Sequence, residues 1–307
     1  MIYPHRPVLV NQVVRALLTA PDGIYVDGTV GTGGHSEAIG RALGAKGRLL
    51  CLDRDPEVLR ICRERLSFLG ERVTLVKGNY AASDEIIRNL GIESVHGILL
   101  DLGMSSYQLE QSGRGFSFNR DEPLDMRMDP GNGITAQQLI NISPTRELEK
   151  ILREFGEEKR AKAVARTIAQ NRPISSSLQL ANLIEAVVPR PRRGRKHPAT
   201  RTFQALRIVV NRELEHLRIF LEKAPALIVA GGRLVVLSYH SLEDRMVKQS
   251  MADWERGCQC PPNLPECRCG KRPLFKRLHK KGIKPDHEEI EQNPRARSAI
   301  LRFAERI

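Results

Sequence analysis

The sequence lacks several features that mark membrane or exported proteins. Its 307 residues contain no apolar run of roughly 18 or more residues, the length typical of a transmembrane helix. The first residues, MIYPHRPVLV, have neither the basic start nor the apolar centre of a signal peptide. No repeat of fixed period is present, which argues against a repeat architecture. We therefore expect a cytoplasmic protein whose six cysteines are reduced.

Negative charge is scarce relative to positive charge. The chain has 49 Lys and Arg residues against 36 Asp and Glu residues, which gives a formal charge of +13. The corresponding isoelectric point is near 9.8. Such an excess favours a polyanionic partner, of which nucleic acid is the commonest.

Short β-rich runs alternate with helical patterns, which predicts an α/β fold with a parallel sheet. The two helical patterns between the first three strands end at Gly44 and Gly70, where we expect left-handed caps. After residue 103 the alternation stops, and it resumes with an amphipathic stretch over 203–224. We therefore expect one domain formed by residues 1–110 and 213–307 and a mostly helical inserted domain over 111–212. The predicted strands cover residues 23–28, 47–55, 72–79, 96–103 and 231–241.

The stretch VDGTVGTGGHSEAIG, residues 26–40, leaves the first strand through four glycines and enters a helix. A turn of this kind holds a nucleotide or nucleoside cofactor in doubly wound folds. Asp53 closes the second strand, where a carboxylate accepts hydrogen bonds from ribose hydroxyls. Ser36 stands where a dinucleotide-binding turn has its third glycine, so a pyrophosphate is disfavoured. S-adenosylmethionine, which has no phosphate, fits better.

Five blocks of sequence carry a more specific signal: HRPVLVNQVV, DGTVGTGGHS, DLGMSSYQLEQSGRGFSFNRDEPLDMRMDP, YHSLEDRMVK and NPRARSAILR. In this order the chain resembles the bacterial ribosomal RNA small subunit methyltransferase H (MraW) family along nearly its whole length. The resemblance implies a class I, Rossmann-like methyltransferase with a helical insertion. It also implies methyl transfer from S-adenosylmethionine to N4 of a decoding-region cytidine of 16S rRNA, cytosine 1402.

The resemblance further implies a set of cofactor-binding residues. Tyr80 departs from the phenylalanine that is frequent in the family, although either ring can flank an adenine. His35 lies in the first turn of the helix, and no proton-transfer role follows from its position. The set comprises Gly33, Gly34, His35, Asp53, Tyr80, Asp101 and Gln108.

The target amine of cytosine is conjugated with its ring, so its lone pair must be drawn out of the ring plane. Asp101 and the carbonyl of Leu102, directly after the fourth strand, are candidates for accepting the hydrogens of this amine. Asp101 alternatively serves the methionyl amine of the cofactor. If neither holds, His240 and Glu243, beyond the fifth strand, are the next candidates.

RNA binding is expected in the insertion and in RPRRGRKHPATR, residues 190–201, which has no acidic residue. The alternative is a solvated loop. The segment GRGFSFNRDEPLDMRMD is expected to close over the active site, with Phe116 or Phe118 stacking on an extruded base or packing beneath the loop.

The remaining cysteines form CQCPPNLPECRC, in which Cys258, Cys260, Cys267 and Cys269 have the spacing C-x-C, six residues, C-x-C. Four thiolates can form a structural zinc site, but this spacing is tighter than the usual C-x-x-C. Methyl transfer needs no metal, so none is expected in the active site. Cys51 and Cys62 are expected to be small core residues.

Three other functions remain open on the sequence. A non-catalytic basic RNA-binding protein explains the charge but leaves the glycine-rich turn and Asp53 without a role. A nicotinamide-dependent oxidoreductase explains the turn, but Ser36 and the charge disfavour it. A methyltransferase that acts on another nucleic-acid amino group fits the same residues. The expected partners are S-adenosylmethionine and 16S rRNA or the small ribosomal subunit.

Overall fold

The computed structural model describes residues 7–189, 197–258, 260–261, 265–266 and 269–307. The chain forms two compact units. We call Met1–Gly103 with His216–Ile307 the sheet unit, and Met104–Glu215 the inserted unit. In the part of the chain that is described, no helix is long and apolar enough to cross a membrane.

The sheet unit contains seven strands in the spatial order β3-β2-β1-β4-β5-β7-β6. Strands β1 to β5 run parallel, whereas β7 is antiparallel to both β5 and β6. The predicted α/β class with a parallel sheet is therefore confirmed, and β6 and β7, which pair antiparallel with each other, are additions that the sequence pattern did not indicate. The strands are β1 Ile24–Asp27, β2 Arg48–Asp53, β3 Val73–Lys77, β4 Val95–Asp101, β5 Ile228–Ser238, β6 Phe275–Arg277 and β7 Ile300–Arg306.

Helices flank the sheet and form most of the inserted unit. Short 3₁₀ turns cover Ser67–Arg72, Tyr80–Ala82 and Pro294–Ser298. The helices are α1 Val10–Leu17, α2 Gly34–Ala42, α3 Pro56–Arg65, α4 Ser83–Asn89, α5 Ser106–Glu110, α6 Ala136–Ile142, α7 Thr145–Glu154, α8 Ala161–Gln170, α9 Ser177–Val187, α10 Thr200–Asn211, α11 Glu213–Leu227, α12 Ser241–Arg256 and α13 His287–Gln292.

The apolar runs of the parallel strands arise because the sheet is covered on both faces. Along β2, Leu49 and Cys51 belong to one buried cluster, and Leu50 and Leu52 belong to another. Successive side chains of a strand point to opposite faces, so a strand between two cores is apolar at every position. Cys62 is buried in the same cluster as Cys51, as expected for small core residues.

The inserted unit has its own core, to which the central signature block contributes. Arg114 is buried and donates hydrogen bonds to the carbonyls of Arg127 and Met128 at 3.0 and 3.1 Å. The amide of Asn211 accepts a hydrogen bond from the Met128 N–H and donates one to the Met126 carbonyl. These bonds fix the block within the inserted unit.

Three local expectations were wrong. The helical stretch over 203–224 is two helices, because Arg212 between α10 and α11 has the left-handed φ of +51°. Gly44 is not a left-handed cap, since α2 ends at Ala42 and its cap, Leu43, is extended. Gly70 has a φ of +54°, but it lies in the 3₁₀ turn Ser67–Arg72 because α3 has already ended at Arg65.

Candidate functional site

The predicted cofactor residues of the sheet unit follow the carboxyl ends of adjacent parallel strands. Asp53 ends β2, Asp101 ends β4, and the glycine-rich turn begins after β1. The strand order changes direction between β1 and β4, because β2 and β3 lie on one side of β1 and β4 and β5 lie on the other. Ligands of open α/β sheets bind at this switch point.

The turn after β1 needs glycine for two different reasons. Gly31 and Gly33 have φ values of +51° and +82°, which side chains strongly disfavour. Gly28 and Gly34 have ordinary φ values, but an added Cβ would lie 2.5 Å from Leu100 Cδ2 or from Pro7 Cγ. The fold itself therefore requires these glycines, whatever ligand the turn holds.

Asp27, at the end of β1, is a buried acid that the sequence analysis did not single out. Its carboxylate accepts hydrogen bonds from Ser36 Oγ at 2.6 Å and from the Thr29 N–H at 3.2 Å. Burial raises its pKa to about 6. Ser36 thus has a structural role, since its hydroxyl joins the start of α2 to the end of β1. An acidic residue immediately before a glycine-rich turn was the signal available in the sequence.

Asp53 fastens the glycine-rich turn to β2. One carboxylate oxygen accepts a hydrogen bond from the Gly31 N–H at 3.0 Å, and the other accepts one from the Asp55 N–H at 2.9 Å. Burial raises the pKa of Asp53 to about 6. Each carboxylate oxygen can accept more than one hydrogen bond, so both retain capacity for a hydroxyl donor.

Tyr80 follows β3 and lies beside the start of the turn. Its Cβ would be 3.0 Å from a Cβ added to Gly28. Its ring contacts that of Phe220 edge-on, with centroids 5.7 Å apart. Tyr80 is partly exposed, whereas a tyrosine with a purely structural role in the core would be buried.

Asp101 connects several parts of the site. Its Oδ1 accepts a hydrogen bond from the Tyr239 hydroxyl at 2.7 Å, and its Oδ2 lies 3.4 Å from Nε2 of His35. Its N–H donates to Thr29 Oγ1 at 2.6 Å. Burial, followed by the charge of Asp101, holds the pKa of Tyr239 well above its usual range, so its hydroxyl stays a donor.

His35 is buried in the first turn of α2, with only 4 % of its surface exposed. Neither ring nitrogen has a hydrogen-bond partner among the described residues. Buried polar atoms normally have hydrogen-bond partners, so the ring retains hydrogen-bonding capacity beyond its 3.4 Å contact with Asp101.

The reserve candidates beyond β5 have a clear structural role. His240 caps α12, and its Nδ1 accepts a hydrogen bond from the Glu243 N–H at 3.4 Å. Buried Glu243 accepts a hydrogen bond from the Tyr239 N–H at 3.0 Å. Tyr239 was not among the predicted site residues, although it precedes His240 in YHSLED and lies within the predicted strand over 231–241.

Gln108 belongs to the inserted unit. Its side-chain oxygen accepts a hydrogen bond from the Ser105 N–H, and the Ser105 hydroxyl accepts one from the Gln108 N–H, which together cap α5. A cofactor contact by this buried side chain stays a prediction.

The aromatic candidates in the inserted unit differ in exposure. Phe116 is 5 % exposed and belongs to the core of the inserted unit, which agrees with the alternative that it packs beneath the loop. Phe118 is partly buried, with His197 stacked on it at 4.4 Å and Phe203 edge-on at 5.2 Å. In the basic run, residues 190–196 lie outside the described residues, and His197 forms an ion pair with Glu185.

Comparison with known proteins assigns the family. A profile described as the MraW methylase family matches residues 2–307. This chain belongs to the MraW methylase family. A relative from Heliobacterium modesticaldum, named ribosomal RNA small subunit methyltransferase H, is 46 % identical over 312 residues and is covered completely, as is this chain. A relative of the same name from Syntrophotalea carbinolica is 47 % identical over 310 residues, with 100 % of this chain and 99 % of the relative covered.

Membership in the MraW methylase family confirms the resemblance inferred from the five signature blocks. It also excludes two of the functions that the sequence left open, because a methylase is neither a nicotinamide-dependent oxidoreductase nor a non-catalytic RNA-binding protein. The roles of individual residues at the carboxyl ends of β1 to β4 are proposals.

Proposed function

We propose that the protein transfers a methyl group from S-adenosylmethionine to N4 of a cytidine in 16S rRNA. The observation that carries this proposal is the grouping of the glycine-rich turn, Asp53 and Asp101 at the switch point of a methylase-family sheet. The relatives named above are small-subunit rRNA methyltransferases, which supports the substrate.

The residues at the switch point fit S-adenosylmethionine. The Asp53 carboxylate accepts hydrogen bonds from the two ribose hydroxyls, and the partly exposed Tyr80 ring flanks the adenine. The turn at Gly33 and Gly34 admits the amino-acid end of the cofactor. The His35 ring, which contacts Asp101 and retains hydrogen-bonding capacity, offers a polar group to the same end.

The cofactor supplies an activated methyl group on a positively charged sulfur, which leaves as a neutral thioether. The protein has to aim the cytosine amine and accept its hydrogens. Asp101 carries two acceptor oxygens at the end of β4, and one of them accepts a hydrogen bond from the Tyr239 hydroxyl. The free acceptor capacity of Asp101 draws the amine lone pair out of conjugation. After the N–C bond forms, the surplus proton passes to Asp101 or to solvent.

The inserted unit supplies RNA recognition in this proposal. The excess of basic residues in the chain favours phosphate contacts, and the run over 190–201 contributes without any acidic residue. Phe118 is the remaining aromatic candidate for contact with an extruded base, through the part of its ring that His197 and Phe203 leave uncovered.

The direct test is mass analysis of modified nucleosides. Unmethylated 16S rRNA, free or assembled into small subunits, is incubated with the protein and isotopically labelled S-adenosylmethionine, then digested to nucleosides. We expect labelled N4-methylcytidine in at least one substrate form, at one position. Label in another nucleoside would contradict the base assignment, and no label in either form would contradict the proposal.

A further inference from the structure

Three cysteine side chains converge between α12 and β6. The Sγ atoms of Cys258, Cys260 and Cys269 all lie within 4.8 Å of one another. The Cys258 and Cys269 sulfurs are 3.8 Å apart. Two thiolates bound at about 2.3 Å to one tetrahedral zinc ion lie about 3.8 Å apart, whereas disulfide sulfurs lie about 2.05 Å apart. The sulfur spacing therefore matches a bridging metal ion.

Apart from these thiols, the described residues of the segment 258–274 form no apolar centre. Among its described residues, Cys258, Cys260 and Cys269 are half-buried and all the others are exposed. Small units with too little core are commonly held by disulfides or a metal ion. The three half-buried cysteines stand where such a unit has its apolar core or its metal ion.

Both ends of the segment are fixed at one place. The Trp254 carbonyl accepts a hydrogen bond from the Leu274 N–H at 2.8 Å, and the rings of Trp254 and Phe275 lie 4.9 Å apart. Gly257 has a φ of +65°, and a Cβ added there would lie 2.4 Å from the Pro273 nitrogen. The chain thus leaves α12 and returns beside it, which closes a loop with the cysteines inside.

We propose that Cys258, Cys260 and Cys269 bind a zinc ion that joins the end of α12 to the residues that precede β6. Zinc prefers thiolate sulfur and tetrahedral geometry and has no redox chemistry. Each thiol releases its proton to solvent as its sulfur binds the ion. Cys267, the other cysteine of the array, lies outside the described residues. None of the proposed cofactor residues takes part, so the ion is structural.

The test measures zinc in the full-length protein, purified without an affinity metal from zinc-supplied cells. We expect about one zinc ion per chain in the unaltered protein and in Cys51→Ala, a control that removes a buried thiol outside the cluster. The variant Cys258→Ser/Cys260→Ser/Cys269→Ser should retain less than a tenth of that amount. Zinc that is absent from the unaltered protein, retained by the triple variant, or lost equally from Cys51→Ala would overturn the proposal.

A second measurement needs no variant and stays decisive if the triple variant does not fold. The native protein is treated with an alkylating reagent, with bound zinc or after chelation, and each cysteine is quantified by peptide mass analysis. Zinc should slow the alkylation of Cys258, Cys260 and Cys269 by at least about tenfold. Cobalt added to the chelated protein should give the intense visible bands of a tetrahedral thiolate site. Equal alkylation with and without zinc, or the spectrum of hydrated cobalt, would refute zinc binding here.

Discussion

The Asp101 carboxylate is held by residues that lie far from it in the chain. Tyr239 donates to it across a separation of 138 residues, and His35 faces its other oxygen. The sequence predicted Asp101 from its position after β4, because strand ends can be located from a local pattern. Its partners could not be predicted in the same way, since the packing of α2 and β5 against β4 brings them there.

Replacing Tyr239 with Phe removes the hydroxyl that orients Asp101 and preserves the ring. A hydrogen bond to a charged group contributes about 1.5–3 kcal/mol. We therefore expect the single-turnover methylation rate to fall about tenfold or more, with less than about a twofold change in cofactor affinity. Rapid-quench kinetics and calorimetry measure the two quantities.

Tyr25→Phe is the matched control for this change. Its hydroxyl donates to the Ala20 carbonyl at 2.9 Å, at the opposite end of β1 from the glycine-rich turn. This control should lower the free energy of unfolding without changing the methylation rate. Equal rates for Tyr239→Phe and the unaltered protein would show that Asp101 does not depend on Tyr239.

Asp53 makes cofactor binding depend on pH. Its pKa is raised to about 6 in the free protein, and ribose hydroxyls donate to the ionised carboxylate. Binding below pH 6 must therefore expel a proton, so affinity rises with pH through about 6 and is constant above it. Calorimetric titration with S-adenosylmethionine should show an increase of about tenfold between about pH 5 and pH 7.

Asp53→Asn tests the origin of this pH dependence. It should bind the cofactor more weakly at pH 7 and show a nearly flat profile, because Asn does not titrate. Asp27 also has a pKa raised to about 6, so it is the alternative source. A variant profile as steep as that of the unaltered protein would assign the effect to Asp27 and contradict the role of Asp53.

At the scale of elements, strands β1 to β5 were predictable, whereas β6 and β7 were not. The apolar runs of β1, β2, β4 and β5 reflect burial on both faces of the sheet, whereas the edge strand β3 is only partly buried. Strand β6 has only three residues, and β7 contains Arg302 and Arg306, which interrupt its apolar pattern. Buried Arg302 is stabilised by its ion pair with Asp244, a distant contact that no local pattern indicates.

The glycine-rich turn makes an element-scale prediction at Gly33, whose φ is +82°. In Gly33→Ala the added Cβ lies 3.1 Å from Cys62 Sγ, and left-handed backbone costs about 1–2 kcal/mol. We expect a lower melting temperature and about tenfold weaker cofactor binding, because the turn must shift. Differential scanning calorimetry and equilibrium binding measure these effects.

Gly91→Ala separates backbone strain from a role at the site. Gly91 also has a left-handed φ, of +70°, but an added Cβ meets nothing within 4 Å, and the residue follows α4. This variant should lose stability and keep its cofactor affinity. If Gly33→Ala binds the cofactor as tightly as Gly91→Ala does, the turn is not part of the cofactor site.

At the scale of the whole molecule, composition predicted the kind of partner, and signature blocks predicted the family. The charge of +13 indicates a polyanion but identifies no nucleotide. The two compact units, and the burial of Phe116 in the core of the inserted unit, depend on long-range packing. Periodicity predicted an inserted domain over 111–212, but it could not predict that Phe116 packs in a core.

The basic run makes a prediction at this scale. Alanine at Arg192, Arg193, Arg195 and Lys196, which lie outside the described residues, should weaken RNA binding and flatten its salt dependence. Removing one side chain that neutralises a phosphate reduces the logarithmic salt slope by about 0.7–0.9. Filter binding over a range of salt concentrations measures the slope, and cofactor affinity should not change.

A control with the same loss of charge uses four exposed basic residues of the sheet unit: Lys46, Arg60, Arg63 and Arg88. Alanine at these positions should leave the salt slope close to that of the unaltered protein. If both variants change the slope equally, net charge alone explains RNA binding, and the run over 190–201 has no specific role.

The most direct measurement is single-turnover formation of N4-methylcytidine by Asp101→Asn at saturating S-adenosylmethionine. Asn keeps the size of the side chain but replaces one acceptor oxygen with a donor that confronts the hydrogens of the amine. A rate about 100-fold lower than that of the unaltered protein, with a smaller loss of cofactor affinity, is expected if Asp101 orients the amine. A rate fully restored by saturating cofactor would instead place Asp101 at the methionyl end and contradict its proposed role in methyl transfer.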